Sequence, residues 1–281
     1  MSDHNIPVLF VTGRGLAEVW ENAVLMTHQQ GMDIKTQYDK PEDPPSKDCT
    51  MVMVVEDPLS EPMIHLDMPG GLEDLQEYCM EVLDGIKDHL VRDQRDPGDH
   101  RWEYTYHQRL FAFVANGQIY DQIRIMAQKL AKTPYTRRAQ AVTWKVWEDN
   151  DCYDPACLQS MWCRVVVDDK ERWWLNTNVR FRSNDAYKAA FMNMFALTML
   201  QKRIAETIAT YTGHEVSLGR YMHEADSFHV YGSYFKEFQD RFLDGFRRRR
   251  LLIDRTMRYE DAKPIMDEAI PAILEKASAM R

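Results

Sequence analysis

The sequence predicts an α+β fold, with a strand-rich central sheet wrapped by helices. Residues 139–147, 158–167 and 173–181 are rich in β-branched and aromatic side chains, and turn residues separate them, as expected of three successive strands. The flanking segments have apolar residues at helical spacing, and residues 186–211 have the nearly continuous apolar surface of a helix buried on most sides. Strands grouped in the middle and helices grouped around them are typical of an α+β domain.

The N-terminal part of the chain is predicted to alternate strands with helices. Residues 8–11 are a strand candidate, and residues 16–29 have apolar side chains at helical spacing. A loop rich in proline, aspartate and lysine, residues 38–47, precedes a second strand candidate at residues 50–55. Residues 72–89 then have the pattern of an amphipathic helix.

The remaining elements follow from the same signals. We expect a charged loop at residues 93–100 and a helix at residues 121–131 that ends before a proline. Residues 216–231 are predicted to form a strand or a pair of strands, and residues 235–250 and 261–279 the two closing helices. No internal repeat or low-complexity linker interrupts this series. Residues 1–281 are therefore predicted to form a single domain.

Composition and charge narrow the classes of function. A chain of 281 residues with 44% apolar and 11% aromatic residues can bury a sizeable core and is too apolar for disorder. The formal net charge of −9 argues against broad nucleic-acid binding, because such binding rests on neutralising phosphates with Lys and Arg. The four arginines at residues 247–250 are the local exception. We expect them to form a solvated helix face paired with acids such as Asp240 and Asp244, with an RNA-binding patch as the alternative.

The chain has no sequence signal for a membrane or for export. No apolar run approaches the roughly 18 residues that a membrane span needs. The N-terminal residues 1–4 lack the basic and apolar regions of a secretion signal, so we expect a cytoplasmic protein. Its five cysteines are an odd number and are expected to be free thiols. Cys152, Cys157 and Cys163 lack the C-x2-4-C spacing of structural zinc sites, so no metal site is predicted.

Cys157 is the candidate nucleophile. It lies in the stretch 154–159, Asp-Pro-Ala-Cys-Leu-Gln, and a thiol becomes reactive when nearby positive charge lowers its pKa. Arg182 follows a separate predicted strand and could approach Cys157 across a sheet. Taken alone, Cys157 is as well explained by an inert buried thiol. A Cys-His-Asp triad using His223 or His229 with Asp226 also remains open, although no local signature supports it.

A pair of arginines, Arg137 and Arg138, begins the first of the three central strands. Arginine suits phosphate because its planar fork makes paired, charge-assisted hydrogen bonds. Neighbours on a strand point to opposite faces, so the two cannot share one target unless the backbone bulges or one of them serves a neighbouring subunit. Structural salt bridges are the alternative for either residue.

As an ordered set, these motifs resemble the thymidylate synthase family, in particular the folate-dependent kind and a divergent branch typified by archaeal enzymes. The order and the intervals from the arginine pair to Cys157, and from Arg182 to Asn193, agree with the family pattern. The matching segments are residues 104–109, 120–123, 136–144, 154–159 and 182–185, followed by Asn193.

The resemblance implies a covalent mechanism for reductive methylation of deoxyuridylate (dUMP) to thymidylate. Cys157 takes the position of the cysteine that adds to C6 of the base, and 5,10-methylenetetrahydrofolate, or a related methylene-pterin, supplies the carbon and the hydride. Tyr106 resembles a tyrosine that assists removal of the proton from C5. The general acid/base glutamate belongs on the helix before the charged loop, where Glu81 and Glu77 are both candidates because residues four apart share a helix face.

The resemblance also implies which residues bind the nucleotide phosphate. Arg182 and Ser183 match the family's phosphate ligands. Arg137 and Arg138 match arginines that reach in from the other subunit, which implies a homodimer with arginines shared across the interface. The family's N-terminal phosphate loop is missing here, and Lys47 or Lys35 is a possible replacement.

The remaining matches concern the base, the sugar and the folate. Asn193 matches the family's pyrimidine-reading amide, which can donate to O4 and accept from N3–H of uracil. His229 and Tyr231 resemble the pair that binds the 3′-hydroxyl, and Asp185 corresponds to the carboxylate that fixes the pterin ring. The family signature places an aspartate two residues before the histidine, where this chain has Ser227.

Two other functions compete with methylation. If the site stays wet, water would trap the one-carbon intermediate, and the chain would be a pyrimidine nucleotide 5-hydroxymethylase acting on dUMP, CMP or dCMP. The chain could also be a non-catalytic nucleotide- or RNA-binding member of the fold, in which replacing Cys157 with serine would leave function intact.

Overall fold

The strands and helices are taken from a computed structural model that describes residues 4–93, 96 and 98–280. The described residues leave out part of the charged loop predicted at residues 93–100. They also leave out the first three of the N-terminal residues 1–4, which are predicted to lack a secretion signal. The strands, in chain order, are β1 (Val8–Gly13), β2 (Met32–Ile34), β3 (Ser46–Val55), β4 (Ile64–His65), β5 (Phe113–Ala115), β6 (Gln118–Tyr120), β7 (Gln140–Val142), β8 (Leu158–Val167), β9 (Trp173–Phe181), β10 (Asn184–Asp185), β11 (Val216–Val230) and β12 (Thr256–Met257).

Helices make up much of the remaining structure. They are α1 (Leu16–Gln30), α2 (Leu72–Asp84), α3 (Tyr106–Phe111), α4 (Gln122–Lys132), α5 (Val146–Asp149), α6 (Ala190–Thr212), α7 (Phe235–Phe238), α8 (Asp244–Arg248) and α9 (Tyr259–Ala279). A π-helical turn, Gln239–Leu243, joins α7 to α8. No helix in the described part of the chain is both long and apolar enough to cross a membrane.

The main sheet has eight strands. Six of them follow the order β1-β3-β11-β9-β8-β7, while β2 pairs with β3 and β10 pairs with β11. The β8–β9 hairpin is antiparallel, whereas β9 pairs with β11 in parallel, so the sheet is mixed. The 15-residue β11 pairs with strands on both sides and has a register shift on each of them, as expected where a long strand must bend.

One face of this sheet is covered by helices. Alternate residues of β8 and β9 are buried, and α6 packs on the same side with α1, α2 and α4 around it. Large aromatic side chains fill the space between the layers, with Trp20, Phe181 and Phe191 fully or almost fully buried. On the opposite face, side chains such as Trp162, Asn178 and Arg180 stay at least partly exposed, so no described element covers it.

The predicted α+β fold is confirmed. The predicted strands at residues 158–167 and 173–181 match β8 and β9 to the residue. The predicted strand or pair at residues 216–231 is one bent strand, and the four arginines at residues 247–250 follow the π-helical turn at the end of the helical segment.

The prediction of a helix over residues 72–89 is wrong at its C-terminal end. Helix α2 ends at Asp84, because Gly85 adopts a left-handed conformation with φ of 66°. A side chain at this position would also collide with the ring of His107, which lies 2.3 Å from the place of a Cβ. Glycine is the residue that accepts such a conformation at a helix end without a steric penalty. The turn that follows therefore carries Lys87 back toward the helix.

The prediction of a strand over residues 139–147 is also wrong in part, since only Gln140–Val142 pair as β7. The segment then turns into α5, where the Asp149 carboxylate accepts the backbone N–H of Lys145 and binds the buried guanidinium of Arg109. This buried ion pair fixes a helical turn where the local composition favours a strand. Arg137 and Arg138 consequently precede the strand rather than begin it.

The Arg109–Asp149 pair is expected to be a main determinant of stability. Arg109 is 1% exposed and binds Asp149 through two nitrogens, at 3.1 and 2.9 Å. Replacing Arg109 with methionine leaves a buried carboxylate without its partner, so we expect the free energy of unfolding to fall by about 3–5 kcal/mol. Urea denaturation at neutral pH measures this change.

A matched control is available on α6. Lys202 forms an exposed ion pair with Glu206 at 3.7 Å, and Lys202→Met should change the free energy of unfolding by less than about 1 kcal/mol. Equal effects of the two substitutions would contradict the role assigned to the buried pair.

Candidate functional site

A cavity of about 610 Å³ opens beside the ends of α2, β8 and β11. Eight of the predicted site residues line it. They are Glu81, Tyr106, Cys157, Ser183, Asp185, Asn193, His229 and Tyr231. Its wall also includes side chains that the sequence did not single out, among them Tyr78, Trp102 and Tyr153.

Cys157 enters the cavity from the start of β8. The backbone N–H of Arg182, at the end of β9, donates to the Cys157 carbonyl at 2.9 Å, so the β8–β9 pairing sets the two residues side by side. The Arg182 guanidinium then reaches past the thiol, with Nη2 3.5 Å from Sγ and Nε 3.1 Å from the carbonyl oxygen of Ala156. The expected approach of Arg182 to Cys157 across the sheet is therefore present.

The ionisation of Cys157 reflects two opposing influences. Burial raises the pKa of the thiol above its ordinary value, while the nearby Arg182 charge lowers it in part. Two tyrosines fix the backbone on either side of the sulfur: Tyr104 Oη accepts from the Cys157 N–H at 3.4 Å, and Tyr106 Oη accepts from the Leu158 N–H at 3.2 Å. The thiol is therefore held in place and is mostly protonated at neutral pH.

The two candidate glutamates on α2 have different surroundings. Glu81 lines the cavity, and burial raises the pKa of its carboxyl. Glu77 lies one turn earlier, where hydrogen bonds and ion pairs with Lys276 and Lys87 outweigh burial and lower its pKa. A carboxyl with a raised pKa at a cavity wall is the kind of group that exchanges protons near neutral pH. The geometry therefore favours Glu81.

Asn193 is almost fully buried in α6 and presents its amide to the cavity. Its Oδ1 accepts a hydrogen bond from the hydroxyl of Tyr78 on α2. Sequence reasoning missed Tyr78, although its position three residues before Glu81 places both on one face of the helix. The Tyr78 contact leaves the amide nitrogen of Asn193 free to donate.

His229 is held by a short relay of side chains at the end of β11. Ser227 Oγ donates to Asp48 Oδ2 at 2.7 Å and lies 3.1 Å from His229 Nδ1. Because the hydroxyl proton is committed to Asp48, the serine oxygen accepts from a protonated Nδ1. In this tautomer Nε2 carries the lone pair of the ring, and it has no partner among the described residues. The ring of Tyr231 stands beside it, 4.5 Å between centroids.

Part of the hydrogen-bonding capacity of the Asp185 carboxylate is used to hold neighbouring parts of the chain. One carboxylate oxygen accepts the backbone N–H groups of Tyr187 and Lys188, at 3.0 and 2.8 Å. The other accepts the hydroxyl of Tyr234. A carboxylate oxygen can accept two hydrogen bonds, so one acceptor position of Asp185 stays available on the cavity side. Ser183 lines the same wall.

Arg137 and Arg138 lie apart from the cavity and are exposed. Their carbonyl oxygens accept from Trp162 Nε1 and Lys129 Nζ, at 3.1 and 3.0 Å. Their guanidinium groups form no ion pair with any side chain in the described part of the chain, so the salt bridges considered from sequence are not formed there. The structure does not bring this pair to Cys157 of the same chain.

The other groups considered from sequence lie elsewhere. His223 is buried between Asn184 and Tyr221, with ring nitrogens 2.9 and 3.0 Å from their side-chain oxygens. Asp226 binds Arg180 on the exposed side of the sheet, at 2.7 Å. Among the described residues, no imidazole nitrogen reaches the Cys157 sulfur, and the geometry does not form a Cys-His-Asp triad.

The two lysines considered for phosphate binding also lie away from the cavity wall. Lys47 pairs with Asp33 at 2.7 Å, and Lys35 donates to carbonyl oxygens of its own loop, including that of Asp43. Over residues 4–93, 96 and 98–280, no group of three or more His, Cys, Asp or Glu side chains is placed to hold a metal ion.

The comparisons with known proteins agree with this geometry. The model of the thymidylate synthase family matches residues 71–261, more than half of the chain. The chain belongs to the thymidylate synthase family. This confirms the resemblance found in the sequence motifs, and the matched region contains Glu81, Cys157 and Asn193.

This member of the thymidylate synthase family is similar to curated proteins from archaea. A protein of Methanosarcina mazei named "Putative thymidylate synthase" is 29% identical over 219 residues, which are 76% of this chain and 85% of the relative. A protein of the same name from Methanocaldococcus jannaschii is 31% identical over 169 residues, 58% of this chain and 65% of the relative. The solved structure of thermostable thymidylate synthase A from Bacillus subtilis shares the fold, with a TM-score of 0.56, 19% identity and coverage of 81% of this chain and 83% of that one.

The charge of Arg182 is expected to control the ionisation of Cys157. Because the guanidinium favours the thiolate, Arg182→Gln should raise the pKa of the thiol further. The rate of Cys157 alkylation by iodoacetamide rises with pH through this pKa, so its pH midpoint should move to higher pH in the variant. Peptide mass spectrometry separates Cys157 from Cys49 and Cys163, which are fully buried.

Arg180→Gln serves as the matched control. Arg180 lies two residues earlier on β9, and its guanidinium binds Asp226 on the exposed face. The midpoint should be unchanged in this control. An unchanged midpoint in Arg182→Gln as well would show that Arg182 does not set the state of the thiol.

Proposed function

We propose that this protein is a thymidylate synthase that methylates dUMP at C5 through a covalent adduct between Cys157 and C6 of the base. The observation that carries the proposal is the meeting of a nucleophile, a base-reading amide and a proton-exchanging carboxyl in one cavity, as Cys157, Asn193 and Glu81. These three groups come from three separate elements, β8, α6 and α2. A cavity that served only to bind a nucleotide would not need the thiol.

Cys157 and Arg182 act on the reacting carbon. The Cys157 thiolate forms a bond to C6, which moves the electron pair of the C5–C6 double bond toward C5 and makes that carbon nucleophilic. The positive charge of Arg182 favours the thiolate that this step requires. The C5 proton leaves after the new carbon bond forms. Elimination of the thiolate restores the C5–C6 double bond once the transferred carbon has separated from its donor and received a hydride, which makes it a methyl group.

Glu81 and Tyr106 are the proton carriers. Burial raises the pKa of the Glu81 carboxyl above its ordinary value, which favours a group that exchanges a proton during the reaction. It is suited to proton exchange with the carbonyl oxygen O4, whose charge changes as C5 becomes nucleophilic. Tyr106 lies beside the nucleophile, with its oxygen fixed by the Leu158 N–H at 3.2 Å, and is suited to assist loss of the C5 proton.

Asn193 favours uracil over cytosine. Its Oδ1 accepts the Tyr78 hydroxyl and has a second lone pair for N3–H of the base, while its Nδ2 donates to O4. Cytosine presents the opposite pattern and would require the amide to turn over. A turned amide would leave the Tyr78 hydroxyl proton without its acceptor, at a cost of about 1–3 kcal/mol.

His229 and Tyr231 are assigned to the sugar. The relay through Ser227 leaves His229 Nε2 as an acceptor, which matches a ligand hydroxyl such as the 3′-OH. Tyr231 lines the same wall and supplies a second hydroxyl.

Arg182, Ser183 and the arginine pair are assigned to the phosphate in a homodimer. Arg137 and Arg138 are exposed, unpaired among the described side chains, and lie apart from the cavity of their own chain. The sheet face that carries Trp162 is also left uncovered by the described elements. Pairing two copies through this face would bury it and would allow Arg137 and Arg138 to bind the phosphate in the site of the other copy. Neighbouring residues on a strand point to opposite faces, and service to a neighbouring subunit is one of the two arrangements that this geometry allows for the pair.

The folate is assigned to the mouth of the cavity. Asp185 has an acceptor position available for an N–H donor of a pterin ring, and the rings of Trp102 and Tyr153 provide apolar surface nearby. These residues fit 5,10-methylenetetrahydrofolate or a related methylene-pterin, which supplies the one-carbon unit and the hydride when bound. We further propose that residues 1–281 act as a single domain in the cytoplasm.

One observation supports hydroxymethylation as a second candidate function. Tyr153 at the cavity wall is 81% exposed, so the mouth is open to solvent. Hydride transfer requires water to be kept out, and a mouth that stays open would instead deliver water to the one-carbon unit. The product would then be a 5-hydroxymethyl nucleotide.

A product assay tests the proposed function. Purified protein is incubated with methylenetetrahydrofolate and dUMP, with CMP and dCMP in parallel, while nucleotide mass and dihydrofolate absorbance are followed. We expect dUMP to gain the mass of a methyl group with one dihydrofolate per product, and Cys157→Ser to lose at least about 1,000-fold in kcat, because serine is a much weaker nucleophile at neutral pH.

The other outcomes distinguish the alternatives. A hydroxymethyl product without dihydrofolate establishes the second candidate. Nucleotide binding without turnover, unaffected by Cys157→Ser, establishes the non-catalytic alternative. Cys152→Ser is the matched control, since Cys152 is another free, partly exposed thiol close in sequence and does not line the cavity.

Subunit complementation tests the shared arginines. Cys157→Ser should inactivate one kind of subunit, and the double variant Arg137→Ala/Arg138→Ala the other. In a mixed dimer, one site combines an intact Cys157 with the intact arginine pair of the other subunit. Because half of randomly formed dimers are mixed and each has one intact site, the mixture should regain about one quarter of wild-type activity.

The result depends on which subunit supplies the arginines. If Arg137 and Arg138 served their own site, no mixed dimer would contain an intact site, and the mixture would stay inactive. Mixing Cys157→Ser with Cys157→Ala provides the control, because no arrangement of these subunits restores a nucleophile.

A further inference from the structure

Two carboxylates and two ammonium groups form a chain of ion pairs behind the cavity wall. Lys87, in the turn after α2, lies between Glu77 and Glu81, with Nζ 2.8 Å from Glu77 Oε1 and 3.0 Å from Glu81 Oε2. Lys276, near the end of α9, binds the other oxygen of Glu77 at 2.7 Å. The chain therefore runs from the C-terminal helix to the glutamate that faces the nucleotide site.

The ammonium groups are divided unequally between the two carboxylates. Among the described residues, Glu77 has an ammonium group on each of its oxygens, whereas Glu81 pairs with Lys87 alone, through one oxygen. The two carboxylates also differ in their surroundings. Glu81 lines the cavity, and burial is the largest influence on its pKa, whereas Glu77 binds a second ammonium group, that of Lys276.

The surroundings of Glu81 otherwise favour its neutral form. Burial is the largest influence and raises the pKa, and the negative charges of Glu77 and Asp88 raise it further. Lys87 is the group that acts in the opposite direction. Other titratable groups near Glu81 among the described residues are His107, which binds Asp88 at 2.6 Å, Tyr78 one turn away on α2, and Tyr106 on α3, which lines the same cavity.

Lys87 is suited to this position because its own surroundings restrict it. Its side chain is 12% exposed, and its ammonium group lies 5.4 Å from the centre of the Trp102 ring, a part of the cavity wall. A partly buried ion pair is screened less by water and salt than a surface pair, so its charge has a larger effect on Glu81.

We propose that Lys87 is a positioning residue that orients Glu81 and sets its proton affinity, and that Lys276 on α9 controls how much of the Lys87 charge reaches Glu81. The Lys276 ammonium group binds the second oxygen of Glu77 and so compensates part of the negative charge of Glu77. Glu77 then compensates less of the Lys87 charge, and more of that charge acts on Glu81. The seating of α9 on α2 is thereby linked to the protonation of the cavity carboxyl. This inference rests on the proposed function only in assigning proton exchange to Glu81.

The test is an NMR titration of protein labelled with 13C at the glutamate side-chain carboxyls. The Glu81 resonance is identified by its loss in Glu81→Gln, and its pH midpoint is measured in the wild type and in Lys87→Met, Lys276→Met and Lys87→Arg. Removing positive charge disfavours the carboxylate, so the midpoint should rise by about one pH unit in Lys87→Met and by less in Lys276→Met. Lys87→Arg should keep most of the wild-type value.

Lys263→Met is the matched control on the same helix. Lys263 is exposed and pairs with Asp267 on α9, so its loss should leave the Glu81 midpoint unchanged. Lys276 is itself 56% exposed, so Lys276→Met should fold normally even if Lys87→Met does not. An unchanged midpoint in Lys276→Met overturns the coupling to α9, and an unchanged midpoint in a folded Lys87→Met overturns the role of Lys87.

The pH profile of kcat/KM for dUMP links this titration to turnover. Where Glu81 is the acid/base group, the limb of the profile that it controls should move with the NMR midpoint across the four variants. A midpoint that moves as expected in a protein that does not turn over dUMP would leave the ion-pair chain established and refute the proposed function instead. The two failures are therefore distinguishable.

Discussion

The hydrogen bond from the Arg182 N–H to the Cys157 carbonyl is the contact on which the site depends. It extends the β8–β9 pairing by one step beyond Leu158 and Phe181, and so brings a thiol and a guanidinium together from positions 25 residues apart. The guanidinium also binds the carbonyl oxygens of the turn before Cys157, which prevents the thiol from moving independently of the sheet. The surroundings of the thiol are thus a consequence of strand register, and any slip of β8 against β9 would separate the sulfur from the positive charge that favours its thiolate form.

Helix α2 supplies the second constraint, because the spacing of its side chains decides which groups face the cavity and which face the rest of the protein. Tyr78 and Glu81, three residues apart, both reach the cavity wall, whereas Glu77 turns toward α9. Two carboxyls of the same kind thereby acquire opposite tendencies, one binding its proton more tightly and the other less. One helix can thus hold two carboxyl groups whose pKa values are shifted in opposite directions by their surroundings.

Local sequence patterns predicted the elements whose conformation depends on their own residues rather than on contacts with distant ones. Strands β8 and β9 were predictable to the residue, since alternation of buried and exposed side chains runs along their whole length. Residues 139–147 have a similar composition, yet α5 interrupts them because Asp149 binds Arg109, 40 residues away in sequence. In the same way the motifs located the cavity residues, but not Tyr78. Which subunit receives the arginine pair stays a prediction, because one chain does not contain that information.

The relay behind His229 shows how a departure from a family signature is compensated in space. Ser227 stands where the signature has an aspartate, and a serine alone would leave the tautomer of the neighbouring imidazole undetermined. The carboxylate is supplied instead by Asp48 on β3, 179 residues away in sequence and adjacent only because β3 pairs with β11. Because Ser227 Oγ donates its proton to Asp48, it accepts a hydrogen bond from His229 Nδ1. His229 Nε2 therefore still presents a lone pair to the cavity. What the site requires is an acceptor nitrogen at that place, and the fold can provide it from either strand.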